Sequence, residues 1–210
     1  MSLAIVVIAS EKRRETTFPA VLDSVRAQSP DEIVVVADFP CEAKGVRSFV
    51  VEPMLRNTID ALVKRDVGTV ATAADNICYL CDDHILAPRF VDTFRNRYES
   101  WGCEMLCPNR YTLRPVPVMA PPVEGSWAGG IVAPGNPIWL NVGRDARYIG
   151  GHCGIYHRSA IRQLPWSAGP HHRSWDLMHA HRLVAMGASL MYAEKDLAVI
   201  DVEPGAQPWL

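Results

Sequence analysis

The chain opens on a continuous apolar run, Leu3-Ala-Ile-Val-Val-Ile8, that stops at polar Ser10-Glu11-Lys12-Arg13-Arg14. A run of that length without polar alternation predicts a central strand in a sheet covered on both faces. Phe18, Val21, Leu22 and Val25 recur at three and four residues, which predicts a helix started by Thr16 or Thr17 and stopped at Ser29-Pro30. Ile33 to Ala37 reads as a second buried strand ending at Asp38, and Arg47 to Val51 as a shorter extended piece. A helix from about Pro53 to Asp66 follows, with Gly68 between it and the next strand. The next apolar run, Ile77 to Cys81, then delivers Asp82, Asp83 and His84 to a strand end. Phe90, Val91, Phe94 and Tyr98 form the stripe of a core-facing helix, and Cys103 to Cys107 another strand. Strands alternating with helices predict an α/β fold, a doubly wound and mostly parallel sheet with right-handed crossovers.

From Pro108 to Asp145 this rhythm is lost. The segment is dense in proline and glycine and carries Trp127 and Trp139, so it reads as a long irregular excursion. Its tryptophans suit either a lid or substrate platform, or anchors that pin the loop to the core. Gly150, Gly151 and Gly154 then lead into a strand and permit close approach of a ligand to the backbone. The polar cluster His171-His172-Arg173-Ser174-Trp175-Asp176 opens a helix whose Leu177, Ala180, Leu183, Val184 and Ala185 to Met186 are expected to pack inward and which Gly187 ends. Leu190 to Ala193 and Leu197 to Val202 are expected to finish the sheet.

Composition narrows the class. With 210 residues and 49% apolar content the chain can bury one core. The expectation is one domain over 1–210, with the stretches 1–107 and 146–210 on either side of an irregular, lid-like segment over 108–145. A net charge of −2 gives no bulk attraction to nucleic acid, so a nucleic acid acceptor is not indicated. Of the 21 basic residues 17 are Arg, which favours planar recognition of phosphate or carboxylate. Cys78 and Cys81 lie three apart on one strand and point to opposite faces, which speaks against a shared zinc ion or a disulfide. The N-terminus lacks a basic leader and no apolar run approaches the length of a membrane span, so a cytoplasmic protein with reduced thiols is expected.

The chemistry concentrates at Asp82-Asp83-His84. Adjacent carboxylates repel, and their placement at a strand's C-terminal end is explained by a hard divalent ion, Mg²⁺ or Mn²⁺, or by ligand hydroxyls. The plainer reading is that one of them caps the helix near Pro88. Between Asn141 and Arg182 stand six Arg against two Asp, local positive charge suited to a diphosphate. Together these features suit group transfer from an anionic, metal-bound donor, with a separate carboxylate removing the acceptor's proton. Asp176 sits in a helix's first turn, where the dipole also favours an acid on structural grounds alone.

In order along the chain, the runs Leu3 to Ile8, Phe18 to Gln28, Ile33 to Asp38, Tyr79 to Pro88 and Gly150 onward resemble the inverting GT-A glycosyltransferases of the large family 2 type. That resemblance implies a Rossmann-like nucleotide-diphospho-sugar transferase fold and transfer of a sugar from a nucleotide-sugar donor, a UDP-sugar first of all, to a hydroxyl acceptor, with 1–107 as the nucleotide-sugar-binding half and 146–210 as the acceptor and catalytic half. It places Asp38 at the base or ribose, Asp82 beside the ribose or diphosphate, and Asp83 on the second Asp of the metal motif. Ser10, Asp38, Asp82, Asp83, Gly151 and Arg182 are the expected donor contacts. Trp175 to Gly187 resembles the helix bearing the general base, which falls on Asp176. Cys81 stands where the motif's first Asp is expected, Trp175 replaces a Glu, and Asp201 lies where a metal-binding His is usual, so the expected ligands of Mn²⁺ or Mg²⁺ are Asp83, His84 and Asp201. Two other readings compete: a nucleotidyltransferase-like enzyme, whose first loop lacks the usual glycines here, and a non-catalytic nucleotide-sugar-binding module.

Overall fold

The computed structural model describes residues 1–53, 57–112, 128–129, 138–141, 153–168, 175–193 and 197–202. The elements run β1 (Leu3–Ile8), α1 (Phe18–Ala27), β2 (Glu32–Ala37), β3 (Arg47–Val50), α2 (Asn57–Ala71), β4 (Asn76–Cys81), β5 (His84–Leu86), α3 (Phe90–Trp101), β6 (Met105–Cys107), β7 (Asn109–Thr112), β8 (Ala128–Gly129), β9 (Ile138–Asn141), β10 (Cys153–His157), α4 (Arg158–Gln163), α5 (Trp175–Ala185), β11 (Leu190–Tyr192) and β12 (Ala198–Asp201).

The main sheet has the order β11-β6-β10-β4-β1-β2-β3. β4, β1, β2 and β3 are parallel, while β10 runs antiparallel to both β4 and β6. Every residue of β1 is buried, as expected of a strand with helices on both faces. Leu3, Ile5 and Val7 point to one core, shared with Phe18, Val21, Leu22 and Val25 of α1 and with Phe90, Val91 and Phe94 of α3. Val6 and Ile8 point to the other, shared with Leu62 of α2, Trp166 and Leu183 of α5. Cys78 belongs to the first core and lies 3.6 Å, sulfur to sulfur, from Cys153 on β10, both as free thiols. Cys81 lies on the opposite side of β4, its sulfur beside Arg65 of α2, so the two cysteines diverge as the strand period requires.

Several expectations are corrected. The helix expected to stop at about Asp66 runs on through Gly68 to Ala71, and Met186, expected to pack inward behind α5, is 51% exposed. A Cβ at Gly68 would stand 2.3 Å from Val6 Cγ1, so the glycine serves close approach of helix and strand rather than termination. Neither Asp82 nor Asp83 caps a helix. They form the turn between β4 and β5, and α3 begins later, behind Arg89 in a left-handed conformation at φ 64°. Thr17 precedes α1 without capping it; its hydroxyl donates to the Asp82 carbonyl at 2.6 Å instead.

The segment expected to be irregular contains strands. β7 and β9 pair antiparallel, and with β8, β12 and β5 they build a second sheet of order β5-β12-β7-β9-β8. β12 therefore lies inside this second sheet, between β5 and β7, and does not finish the first. Trp139 lies in β9 opposite Tyr111, whereas Trp127 and the remainder of the expected lid lie outside the described residues.

Candidate functional site

The C-terminal ends of β4, β1 and β2 lie side by side, since Ile8 is level with both Cys81 and Val36. An open α/β sheet binds ligands at this edge, where the loops leave on either side. Three polar groups meet there: the Asp82-Asp83 turn after β4, Ser10 and a 3₁₀ turn at Glu11–Arg13 after β1, and Asp38 after β2.

The Asp82-Asp83 turn is held by its backbone. Asp82 N–H donates to Ile8 O at 3.2 Å, the Asp82 carbonyl accepts from Thr17, and the Asp83 carbonyl accepts from Val202 N–H at 2.8 Å. The Asp82 side chain is buried, and its Oδ2 accepts from Ser10 N–H at 2.8 Å and Ser10 Oγ at 3.0 Å. Arg13 bridges the pair, Nη1 standing 3.1 Å from Asp82 Oδ1 and Nη2 3.1 Å from Asp83 Oδ2. Asp83 Oδ1 bonds to His84 Nδ1. Burial pushes the Asp82 carboxyl above its ordinary range, and Arg13 and the Ser10 amide pull against that without cancelling it.

Behind the edge lies a second charged group. Lys64 of α2 is 1% exposed, donates to Ala9 O at 2.9 Å and sits 2.7 Å from Asp60 Oδ2 and 3.5 Å from Asp38 Oδ2. Asp38 also accepts from Glu11 N–H at 2.5 Å, so one carboxylate joins the ends of β1 and β2. Arg65, next along α2, donates to Cys81 Sγ at 3.6 Å and faces the Trp166 ring at 5.5 Å. The Cys81 thiol is pushed up to about 12 by burial, Arg65 opposing, so it stays a neutral thiol at neutral pH.

Asp176 lies in the first turn of α5 and is half-buried. That helix is fixed to the sheet through His179, stacked 3.8 Å from Trp166, whose ring in turn meets Tyr79 of β4 and Tyr156 of β10 edge-on. The Asp176 charge reaches the Tyr156 phenol, whose titration burial drives upward. Arg182, in the last turn of α5, donates to Ala168 O at 3.2 Å, on the short turn Trp166–Ala168, and no contact links it to the Asp82-Asp83 turn among the described residues.

Of the expected donor contacts, Ser10, Asp38, Asp82 and Asp83 are brought to one edge, Arg182 is engaged elsewhere, and Gly151 lies outside the described residues together with His171 and His172. The expected metal ligands are neighbours along the backbone, His84 being level with Asp201 across β5 and β12. They do not fit a divalent ion as placed: Asp83 is taken up by His84 and Arg13, and among the described residues no cluster of three His, Cys, Asp or Glu side chains can hold a metal. Arg13 and Lys64 are site residues that periodicity misses. The signals for them were the basic run directly after β1 and the Asp60/Lys64 spacing of four.

No protein-family model and no curated protein sequence matches the chain. Its backbone is similar to that of S. aureus TarS, a GT-A-type glycosyltransferase. The structure of TarS 1–349 superposes with a TM-score of 0.68 at 12% identity, over 96% of this chain and 60% of that one. The same protein in complex with UDP-GlcNAc gives 0.65 at 11% identity, over 99% and 60%, and in complex with UDP 0.65 at 12%, over 95% and 60%. The chain thus spans 60% of the length of these structures, and the sheet, with its flanking helices, is of the GT-A type.

Proposed function

We propose that this chain is a glycosyltransferase that takes a UDP-sugar and passes the sugar to a hydroxyl acceptor with inversion, the whole of 1–210 serving as one catalytic unit. The observation that carries the reading is the gathering of Ser10, Asp38 and the Asp82-Asp83 turn on the ligand edge of a GT-A-type sheet, a fold shared with a protein whose structures hold UDP-GlcNAc and UDP. In this reading Asp38 meets the base or ribose, and the Asp82-Asp83 turn lies by the ribose and diphosphate. The acceptor oxygen attacks the anomeric carbon, the bond from that carbon to the diphosphate oxygen breaks, and Asp176 receives the hydroxyl proton. Mn²⁺ or Mg²⁺ would have to displace Arg13 to reach the acidic turn.

The test is a panel of nucleotide sugars scored for slow donor hydrolysis without acceptor. Release of UDP from a UDP-sugar is expected, and a chain that neither binds nor hydrolyses any nucleotide sugar refutes the reading. Asp176→Asn keeps shape and helix-start preference while removing the base, so kcat should fall by roughly 10²–10⁴ with donor affinity nearly intact. A variant that instead loses thermal stability, with normal turnover per folded molecule, makes Asp176 a helix-dipole acid. A non-catalytic nucleotide-sugar-binding module is the second reading, favoured by the closure of the acidic turn by Arg13; turnover of any donor rejects it.

A further inference from the structure

We infer that the guanidinium of Arg13 is the resident cation of the Asp82-Asp83 turn, and that the chain binds a nucleoside diphosphate without a divalent metal ion. The inference rests on the nucleotide-sugar reading for its ligand, and on this chain's own residues for the cation.

The first support is occupancy. All four carboxylate oxygens of the pair have protein partners: Asp82 Oδ1 and Asp83 Oδ2 meet Arg13, Asp82 Oδ2 meets Ser10 twice, and Asp83 Oδ1 meets His84. A hard divalent ion needs carboxylate oxygens at about 2.0–2.1 Å for Mg²⁺. A guanidinium at 3.1 Å from the same two carboxylates leaves no room for it, and like charge adds to the exclusion. Cation and guanidinium are alternatives, not partners.

The second support is the fixed place of Arg13. Its backbone N–H donates to Ser10 O at 2.9 Å, and the adjoining Glu11 N–H is held by Asp38. Ser10, which sets the start of the turn, is itself bound to Asp82 through N–H and hydroxyl. Withdrawing Arg13 would strand the Asp82 side chain, 4% exposed, without its counter-charge in a low-dielectric position. The Arg13 side chain is 23% exposed, so the cation is open to the edge at which an anion would arrive.

The third support is chemical. Before the pair stands Cys81, whose soft sulfur lies 3.6 Å from Arg65 at a place where a hard ion would take oxygen. Arginine, by contrast, suits two oxygen partners at once and stays charged at any working pH.

The decisive measurement is titration of the wild-type chain with Mn²⁺ followed by electron paramagnetic resonance, without nucleotide. No stoichiometric binding at millimolar metal is expected, and stoichiometric binding overturns the inference. In parallel, UDP is titrated calorimetrically in EDTA and in Mn²⁺. Equal affinity in both supports the inference, while tightening by about tenfold or more with Mn²⁺ overturns it. Arg13→Gln, checked for folding by circular dichroism, should lose UDP affinity in EDTA by about tenfold or more and bind Mn²⁺ at the vacated carboxylates. Unchanged UDP affinity of this variant in EDTA also overturns the inference. If UDP binds under neither condition, the donor reading fails, and the Mn²⁺ titration still decides whether Arg13 holds the metal's place.

Discussion

His179 shows how one side chain ties a helix to the sheet and fixes a pH limit. Its ring lies flat on Trp166, 3.8 Å away at 16°, and Nε2 sits 3.0 Å from Leu164 O, which assigns the proton to Nε2. Burial pulls its titration down to about 4, with the Leu164 carbonyl resisting. Because the folded value lies below the unfolded value of 6.5, the neutral ring's contribution is complete above 6.5 and is lost as pH falls toward 4. The loss across that window amounts to roughly 3 kcal/mol at most. Denaturant melts from pH 7 to 4 should show that slope, and His179→Gln should flatten it; a slope unchanged in the variant assigns the acid loss elsewhere. At this scale the sequence was legible where strand ends placed residues: Asp38, Asp82 and Asp83 stand where the apolar runs stop. It was silent on pairing. Arg13 meets carboxylates 69 and 70 positions away, and Lys64 reaches back to the end of β1, contacts that depend on which strands become neighbours and leave no periodic trace. Arg182 had the right charge, but its position in the last turn of α5 directs it to the carbonyl of Ala168.

The elements were predicted best where burial on both faces makes the run continuous, as in β1, β2 and β4, and worst where a single residue type had two uses. Gly68 is the clear case: glycine is a common helix terminator, yet here α2 passes through it to approach β1. An alanine at 68 gains about 1 kcal/mol of helix propensity. Its methyl would have to enter space held by Val6, a buried β-branched residue, and such overpacking typically costs about 1–3 kcal/mol. Gly68→Ala should therefore lower stability, and adding Val6→Ala should recover part of the loss in a double-mutant cycle. A stabilised single variant would mean that α2 can move off the sheet freely. The strands of the second sheet went unread for a related reason. β5 is three residues long, and β7, β8 and β9 are short pieces in a proline- and glycine-rich stretch, so their pairing comes from long-range register and not from local pattern.

At the scale of the molecule, the parallel order β4-β1-β2 puts three loops on one edge, and this arrangement follows from the crossover rule once the strands are recognised. Less expected was the joint between the two sheets: Asp83 O accepts from Val202 N–H and His84 pairs with Asp201, so the acidic turn is also the seam at which β12 attaches. The thiol pair Cys78 and Cys153 lies deep in the main sheet, on antiparallel neighbours β4 and β10. Burial holds the Cys153 thiol well above its usual range, and only the thiolate reacts with alkylating reagents. Cys153 is thus a silent clock: it cannot be labelled until β10 parts from β4. Timed alkylation read by mass spectrometry should give a rate for Cys153 equal to that of amide exchange along β4. Faster labelling would show β10 peeling away while the parallel strands stay shut.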